Sequence, residues 1–283
     1  MAAFRQTRTS AAVMLAPATI VVLTVLALPL LLLLRYSFNH FEPGQFMVEA
    51  FTLENYAKLA SDPYYLGVLR TTVLVALAVT AGCLVLGFPL ALAVARATPR
   101  VKAVLIVLVV VPLFCGNAVR AAGWMVAFGQ KGLINALLDG VGLSPATLMY
   151  TPWAVLVGIV SVNLPFVALT LQSVIEGIDA ALGEAAASLG AAPFAAWRLV
   201  TLPLAMPGVL AVGAISFILT MNAYATPLLL GGPRFQMIGP TLAREILNQA
   251  NWPFGASLAF LLIAFTLAAT ALANVLIARM VRR

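Results

Sequence analysis

The 283-residue chain is 63% hydrophobic and only 9% charged, with a mean hydropathy of +1.06 and a formal net charge of +7. A soluble domain of this composition would expose large apolar patches, so the composition excludes a soluble protein and indicates an integral membrane protein. The positive charge does not indicate a nucleic-acid partner, because the basic residues flank apolar runs and do not cluster on one polar face.

Six apolar stretches are each long enough to cross a bilayer as a helix, since ~30 Å of hydrocarbon requires about 20 residues. Backbone groups find no partner in lipid, which favours helices over strands. The sequence therefore predicts an all-α polytopic membrane protein with a single transmembrane domain over residues 1–283. The spans are predicted at about residues 12–34, 71–95, 103–128, 152–175, 204–230 and 255–278.

Several residues of the early spans have a structural interpretation. The first apolar run is too long for a signal peptide and lacks a small-residue cleavage site before Arg35, so we interpret it as an uncleaved anchor. His40 is predicted to be a solvated loop residue. Cys83 and Cys115 fall inside predicted spans, where they are expected to be packing residues and not metal ligands or a disulfide.

The distribution of Lys and Arg orients the spans. One set of ends carries nine basic residues, and the other carries six. By the positive-inside rule this difference favours a cytoplasmic location for both termini and for the loop between the fourth and fifth spans. The nine are Arg5, Arg8, Arg96, Arg100, Lys102, Arg198, Arg279, Arg282 and Arg283; the six are Arg35, Lys58, Arg70, Lys131, Arg234 and Arg244.

The loop of about residues 176–203 contains a short helix pattern, Glu184-Ala-Ala-Ala-Ser-Leu-Gly190. Asp179 is placed to cap this helix, and Gly190 permits the turn that ends it. The small side chains of Ala185 and Ala186 would allow another surface to approach closely. An amphipathic connector lying on lipid headgroups is the alternative, although the alanines offer lipid little apolar area.

This pattern, followed by Leu202-Pro203, resembles the cytoplasmic loop of the permeases of bacterial ABC importers. The resemblance implies the type I ABC importer permease fold, in which this loop forms a coupling helix that docks on an ATPase subunit. The coupling residues it implies are Asp179, Glu184, Ala185, Ala186, Gly190, Leu202 and Pro203.

Three further segments, residues 119–135, 226–232 and 249–256, resemble the spermidine/putrescine importer permeases, and especially the first permease subunit of such systems. Relatives that import opines, phosphonates or ferric iron share these signatures, so the substrate stays open. The resemblance implies partnership with two ATPase subunits, a second six-span permease and an external binding protein in the bacterial inner membrane. It implies no cofactor in this chain, with ATP and Mg bound by the ATPase.

The sequence itself also predicts that the energy for transport is supplied by another chain. It contains no G-x-x-x-x-G-K-[ST] phosphate loop, no Gly-x-Ser-x-Gly elbow and no His-Glu-x-x-His pair, so no enzyme is predicted. No carboxylate lies in the middle of a predicted span, whereas ion-driven carriers usually keep one there. The acids are Glu42, Glu49, Glu54, Asp62, Asp139, Glu176, Asp179, Glu184 and Glu245.

Polar residues inside spans are expected to face a cavity, because they are costly in lipid. The candidates for the substrate pathway are Asn117, Arg120, Trp124, Asn163, Asn222 and Tyr224. Arg120 could instead pair with Asp139 or with backbone carbonyls. Trp124, and more so Trp153, could belong to the interfacial aromatic belt.

Two other classes of protein remain possible at this stage. A stand-alone secondary carrier would show an internal repeat and ionisable groups at a broken helix, and the sequence shows neither clearly. A membrane scaffold without transport activity is compatible with the composition, but it would leave the pattern from Glu184 to Pro207 unexplained.

Overall fold

The computed structural model describes residues 2–45 and 47–281. These residues form helices and loops, apart from one isolated bridge between His40 and Val48. In chain order the α-helices are α1 Ala2–Tyr36, α2 Glu54–Ser61, α3 Pro63–Arg96, α4 Pro99–Val110, α5 Asn117–Phe128, α6 Leu133–Gly140, α7 Pro152–Glu176, α8 Ala180–Ser188, α9 Pro193–Ala196, α10 Leu202–Met221, α11 Ala225–Leu230, α12 Ile238–Ala243 and α13 Trp252–Val281.

Five helical stretches of the described chain are long and apolar enough to cross a membrane, and a sixth exists if one bent pair counts as a single span. The prediction of an all-α polytopic protein is therefore confirmed. The five are Leu15–Tyr36, Pro63–Arg96, Pro152–Glu176, Pro193–Met221 and Trp252–Met280. Of the basic residues used to orient the chain, Arg282 and Arg283 lie outside the described residues.

The predicted third span is wrong as a single helix over 103–128. The chain instead bends by 97° between Pro99–Phe114 and Asn117–Gly140. A 3₁₀ turn, Val111–Phe114, ends the first half, and Cys115 and Gly116 are extended. Pro112 has no N–H to continue an α-helix, so it favours a break here.

The predicted fifth span is also interrupted. The sequence predicts one helix over residues 204–230, but α10 ends at Met221 and the separate short helix α11 begins at Ala225. Pro227 lies in the first turn of α11, where its missing N–H costs no helix hydrogen bond. The interruption therefore falls before the proline, at Asn222–Tyr224.

The chain divides into two compact units, Met1–Asp62 with Leu242–Leu261, and Pro63–Thr241 with Leu262–Arg283. In the first unit, the Asn55 side-chain amide donates to the carbonyls of Ser37 and Asn39, both at 2.9 Å. His40 is half-exposed, as expected, but it also pairs with Glu54 at 2.5 Å. The prediction of one domain over residues 1–283 stays a prediction.

In the second unit, the long helices α3, α7 and α10 pack against one another around one main apolar cluster. Cys83 lies in this cluster and is fully buried, which confirms it as a packing residue. Cys115 is instead exposed at the bend in the third span, so the prediction that it packs inside a helix was wrong. Both cysteines are free.

Candidate functional site

A cavity of about 530 Å³ lies beside the two interrupted spans. Five of the six polar residues predicted to line a pathway border it, and Trp124 does not. Its lining consists of Leu113, Asn117, Arg120, Ile159, Val162, Asn163, Phe166, Leu219, Asn222, Ala223, Tyr224, Ala225 and Thr226.

The interruptions bring these side chains together. Asn117 is the first residue of α5, directly after the bend, and Arg120 follows one turn later. Asn222 directly follows α10 and Tyr224 precedes α11, so both come from the break in the fifth span. A continuous helix would turn such residues to different faces, whereas a break leaves them at one level of the bundle.

Arg120 contacts backbone carbonyls, which is one of the two alternatives that the sequence left open. Its guanidinium donates to the carbonyl of Pro112, to that of Cys115 at 3.3 Å and to that of Ser161 at 3.4 Å. The acceptors lie on three segments: the 3₁₀ turn, the extended linker and helix α7. The same side chain borders the cavity, so its predicted role in the pathway stays a prediction.

Trp124 lies one helical turn beyond Arg120 and outside the cavity lining. Its indole N–H donates to the Ser161 hydroxyl at 2.9 Å, and its ring stacks on Phe128 with centroids 4.9 Å apart. These contacts place it between α5 and α7. Trp153 is 74% exposed, which is compatible with the interfacial position predicted for it.

Asn163 borders the cavity from α7, but it is only 3% exposed. Its side-chain amide donates to the Thr220 hydroxyl at 2.9 Å and to the Ser216 carbonyl at 3.4 Å, both on α10. Asn163 therefore fastens two long helices as well as lining the cavity. Asn222, in contrast, is exposed and donates to Ile218 of its own helix.

The sequence analysis missed several lining residues, of which Thr226 is the most informative. Thr226 is 5% exposed and lies in α11, where helix α7 approaches closely. A Cβ at Gly158 of α7 would come within 2.6 Å of the Thr226 methyl group and within 2.6 Å of a Leu230 methyl group. A hydroxyl next to a span proline was the available signal, but the facing glycine is 68 positions away in sequence and gave none.

The short helix predicted in the loop of about residues 176–203 is present as α8, Ala180–Ser188. Asp179 caps it as expected, since its carboxylate accepts from the N–H of Ala181 at 2.9 Å. Gly190 ends the turn with φ +85°, in the left-handed region that glycine adopts without strain. The N–H of Ala191 then donates to Ala186 at 3.0 Å, and that of Gly190 to Ala187 at 2.9 Å, a Schellman motif.

The surface of α8 is open. Within the described chain α8 has no buried residue; Glu184 and Ala185 are exposed, and Ala186 is partly so. A second cavity, of about 430 Å³, lies next to it and is bordered by Arg96, Glu176, Asp179 and Glu184, among others. Leu202 begins α10 with Pro203 in its first turn, as predicted.

The end of the fourth span is tied to the third span just before α8. Glu176, the last residue of α7, pairs with Lys102 of α4 at 2.7 Å and accepts from the Gln172 amide at 3.1 Å. Each partner of the ion pair is about a third exposed. The geometry links the start of the loop to the helix that leads into the 97° bend.

The main cavity has a mixed lining. Its described lining combines three amides, one hydroxyl, one phenol and one guanidinium with apolar side chains, and it includes no carboxylate. Within the described chain no group of three or more His, Cys, Asp or Glu side chains is placed to hold a metal ion.

Comparison with known protein families decides the assignment. Residues 83–282 match the family described as "Binding-protein-dependent transport system inner membrane component". The chain belongs to this family. The match begins in the middle of α3 and includes the bend, the main cavity and α8, so these features lie within the family's shared region.

Individual relatives agree with this family. The permease is 35% identical over 232 residues to the spermidine/putrescine transport system permease protein PotB of Escherichia coli strain K12, covering 81% of this chain and 84% of that protein. It is also 32% identical over 211 residues to the molybdenum transport system permease protein ModB of Mycobacterium bovis, covering 75% and 78%. The sequence resemblance to the polyamine-type permeases is thereby confirmed.

A solved structure confirms the fold class. The permease superposes on a chain of a bacterial ABC transporter that imports the acidic polysaccharide alginate, with a TM-score of 0.79. The superposition covers 99% of both chains at 18% sequence identity. This likeness establishes the fold of an ABC importer permease and says nothing about the cargo.

Proposed function

We propose that this permease forms half of the translocation pathway of an ATP-driven, binding-protein-dependent importer of polyamines such as spermidine and putrescine. The observation that carries the substrate class is the 35% identity to PotB over 81% of the chain. The cavity supports the same proposal, because it gathers six polar side chains in the region of the two interrupted spans. Energy would come from ATP and Mg bound by two separate ATPase chains, so the permease itself is not an enzyme.

The cavity could pass a polyamine without binding it tightly. Amide oxygens of Asn117, Asn163 and Asn222 can accept from ammonium groups, and Tyr224 and Phe166 can supply aromatic faces for cation–π contact. The described lining contains no carboxylate and contains Arg120, so this chain offers no strong cation site. Charge complementarity would then come from a second six-span permease and from the external binding protein.

Helix α8 would be the coupling helix, in a cytoplasmic loop of a chain whose two termini are also cytoplasmic. Its lack of buried residues supports this role, since a helix of nine residues gains little stability in isolation and α8 has a whole face available for a partner. Glu184 would make a charge-assisted contact in the docking groove of the ATPase, and Ala185 and Ala186 would allow close approach.

The proposal is tested by uptake into proteoliposomes that contain this permease with its ATPase, second permease and binding protein. We expect ATP-dependent accumulation of radiolabelled spermidine or putrescine that unlabelled polyamine abolishes. Opines, phosphonates, ferric iron and molybdate serve as competitors; preferential competition by one of them would replace the polyamine assignment. Accumulation by the permease alone, without ATPase, would contradict the ATP-driven mechanism and favour a secondary carrier.

The coupling role is tested in the same vesicles with Glu184→Ala. We expect uptake to fall by about fivefold, the effect of losing one charge-assisted contact, while the binding protein still holds substrate. Stimulation of ATP hydrolysis by loaded binding protein is measured in parallel. Wild-type uptake together with wild-type stimulation would identify α8 as a passive connector.

A further inference from the structure

We propose that Arg120 and Trp124 are positioning residues that clamp the broken third span to the middle of α7 through Ser161. The clamp is defined here as these three residues. The inference rests on the proposed function, because the contact between α5 and α7 would hold in place one wall of the proposed pathway.

The bend creates a need for hydrogen-bond donors. Backbone carbonyls that lack a helix partner must be satisfied inside the protein when they lie at the depth of a membrane. At the bend, the Cys115 carbonyl accepts from the Arg120 guanidinium at 3.3 Å, and the Pro112 carbonyl accepts from the same guanidinium in addition to the bond from the Cys115 N–H. Arginine suits this role because its planar fork presents several donors in a fixed geometry.

Ser161 is where the clamp meets α7. Its carbonyl accepts from Arg120 at 3.4 Å, and its hydroxyl accepts from the Trp124 indole at 2.9 Å. The same hydroxyl donates to the carbonyl of Gly158 at 2.6 Å, which fixes its orientation. Arg120 and Trp124 are four residues apart on α5, so both project from one face of that helix toward one residue of α7.

The clamp controls the cavity indirectly. Asn117, at the start of α5, borders the cavity, whereas Trp124 and Ser161 do not. If the clamp opens, α5 can rotate at the extended linker Cys115–Gly116, and Asn117 moves with it. Trp124 therefore acts through the position of α5, and direct contact with the cargo is not needed to explain its bonds.

The structure provides a native reporter for this movement. Cys115 is exposed at the linker, and Cys83 is fully buried in the apolar cluster. Cys115 lies between two lining residues of the main cavity, Leu113 and Asn117, so a water-soluble maleimide that enters the cavity should label Cys115 at a rate that reports the looseness of the bend. This rate needs neither substrate nor ATP, so it stays measurable even if the proposed polyamine function fails.

The experiment compares Trp124→Phe, Ser161→Ala and their double variant in the assembled transporter in nanodiscs. Each single variant removes the indole–hydroxyl bond, and we expect each to raise the Cys115 labelling rate by about fivefold. The double variant should be no faster than the singles, since both changes remove the same bond. Arg120→Lys keeps the charge but loses the planar guanidinium with its several donors, so it should also raise the Cys115 labelling rate.

Two control variants keep the labelling rate of the wild type. Trp153→Phe changes an exposed tryptophan near the start of the same helix α7, and Ser173→Ala removes an exposed hydroxyl that bonds only Leu169 of α7. In uptake assays the clamp variants should lower the maximal rate and leave the half-saturating concentration of loaded binding protein unchanged.

Two results would overturn the clamp. One is a labelling rate that stays at the wild-type value in both single variants. The other is a change of substrate preference in Trp124→Phe while Ser161→Ala behaves like the wild type. That result would mean that Trp124 touches the cargo. Failure of the wild-type transporter to accumulate polyamine would reject the proposed function, and the labelling rates would still decide the clamp.

Discussion

The middle of α7 and the helix α8 that follows it are held in different ways. In α7, Asn163 bonds to α10, Ser161 bonds to α5, and Gly158 lets α11 approach closely. In α8, the bonds that shape the helix come from its own neighbourhood, namely the Asp179 cap and the Gly190 turn. The first region keeps its shape through distant partners, whereas the second has a fixed local shape and an unoccupied surface.

This difference suits the two tasks that we propose for the subunit. The proposed cavity wall needs a defined geometry, which bonds between helices provide. The proposed coupling element must be rigid by itself yet free to engage another chain, and capping together with a left-handed turn provides that. The following variants are ordered from the largest expected effect to the smallest.

Gly190→Val tests whether the local turn is essential to α8. A β-branched residue at φ +85° costs roughly 1–2 kcal/mol or more, so the turn should distort and uptake should fall about tenfold. Space is not the issue, because a Cβ at Gly190 meets no described atom within 4 Å. The measurement is uptake per inserted permease, quantified in membranes.

Gly190→Asn is the matched control, since asparagine tolerates the left-handed region better than other non-glycine residues. It should retain most of the uptake. Equal loss in the asparagine and valine variants would mean that the side chain itself, and not the backbone conformation, disturbs coupling.

Asn163→Ala tests the other side of the comparison. Its amide joins α7 to α10, and interhelical bonds of this type contribute about 0.6–1.7 kcal/mol in membrane proteins. We expect the midpoint of thermal unfolding of the assembled transporter to fall by roughly 2–4 °C, the shift for about 1 kcal/mol.

Asn222→Ala serves as the comparison for stability. Asn222 also borders the cavity, but it is exposed and its amide donates within its own helix. Its removal should leave the midpoint unchanged. A larger drop in Asn222→Ala than in Asn163→Ala would show that the fifth-span break, and not the α7–α10 contact, limits stability.

Glu176 is the last residue of α7, just before α8, and its ion pair with Lys102 joins this point to α4. Variants of the pair therefore test whether the contact between α4 and the loop matters for transport. Because both side chains are about a third exposed, reversing either charge should lower uptake only by about twofold. The exchange Lys102→Glu with Glu176→Lys should restore it, and high salt should reduce the difference between wild type and single variants. If the exchange behaves like the sum of the singles, the pair does not connect α4 to the loop.

The same contrast explains what the sequence could reveal. The limits of α7 and the cap and turn of α8 depend on residues within a few positions, such as Asp179 and Gly190, so propensity and capping rules predicted them. Most of the polar residues that border the main cavity were also predictable, because polar residues inside apolar spans tend to face a cavity or a bundle interior.

The interruptions of the third and fifth spans were predicted less well. Their hydropathy is continuous, and proline alone does not reveal whether a helix kinks or stops. Pro227 lies in the first turn of a new helix, whereas Pro112 lies in the 3₁₀ turn that follows an old one. The partners that make each break tolerable, such as Ser161 for Arg120, lie 41 positions away, beyond the range of any local pattern.

The bend in the third span has a consequence for biogenesis. A ribosome delivers the chain from its amino end, so Pro112 and Cys115 leave the ribosome before Ser161 exists. Arg120 can reach the two nearby carbonyls at once, but its anchor on α7 arrives only with the next transmembrane segment. The hydrogen bonds of the third segment are therefore completed only after the fourth has been synthesised. We expect the two segments to leave the insertion machinery for the lipid together.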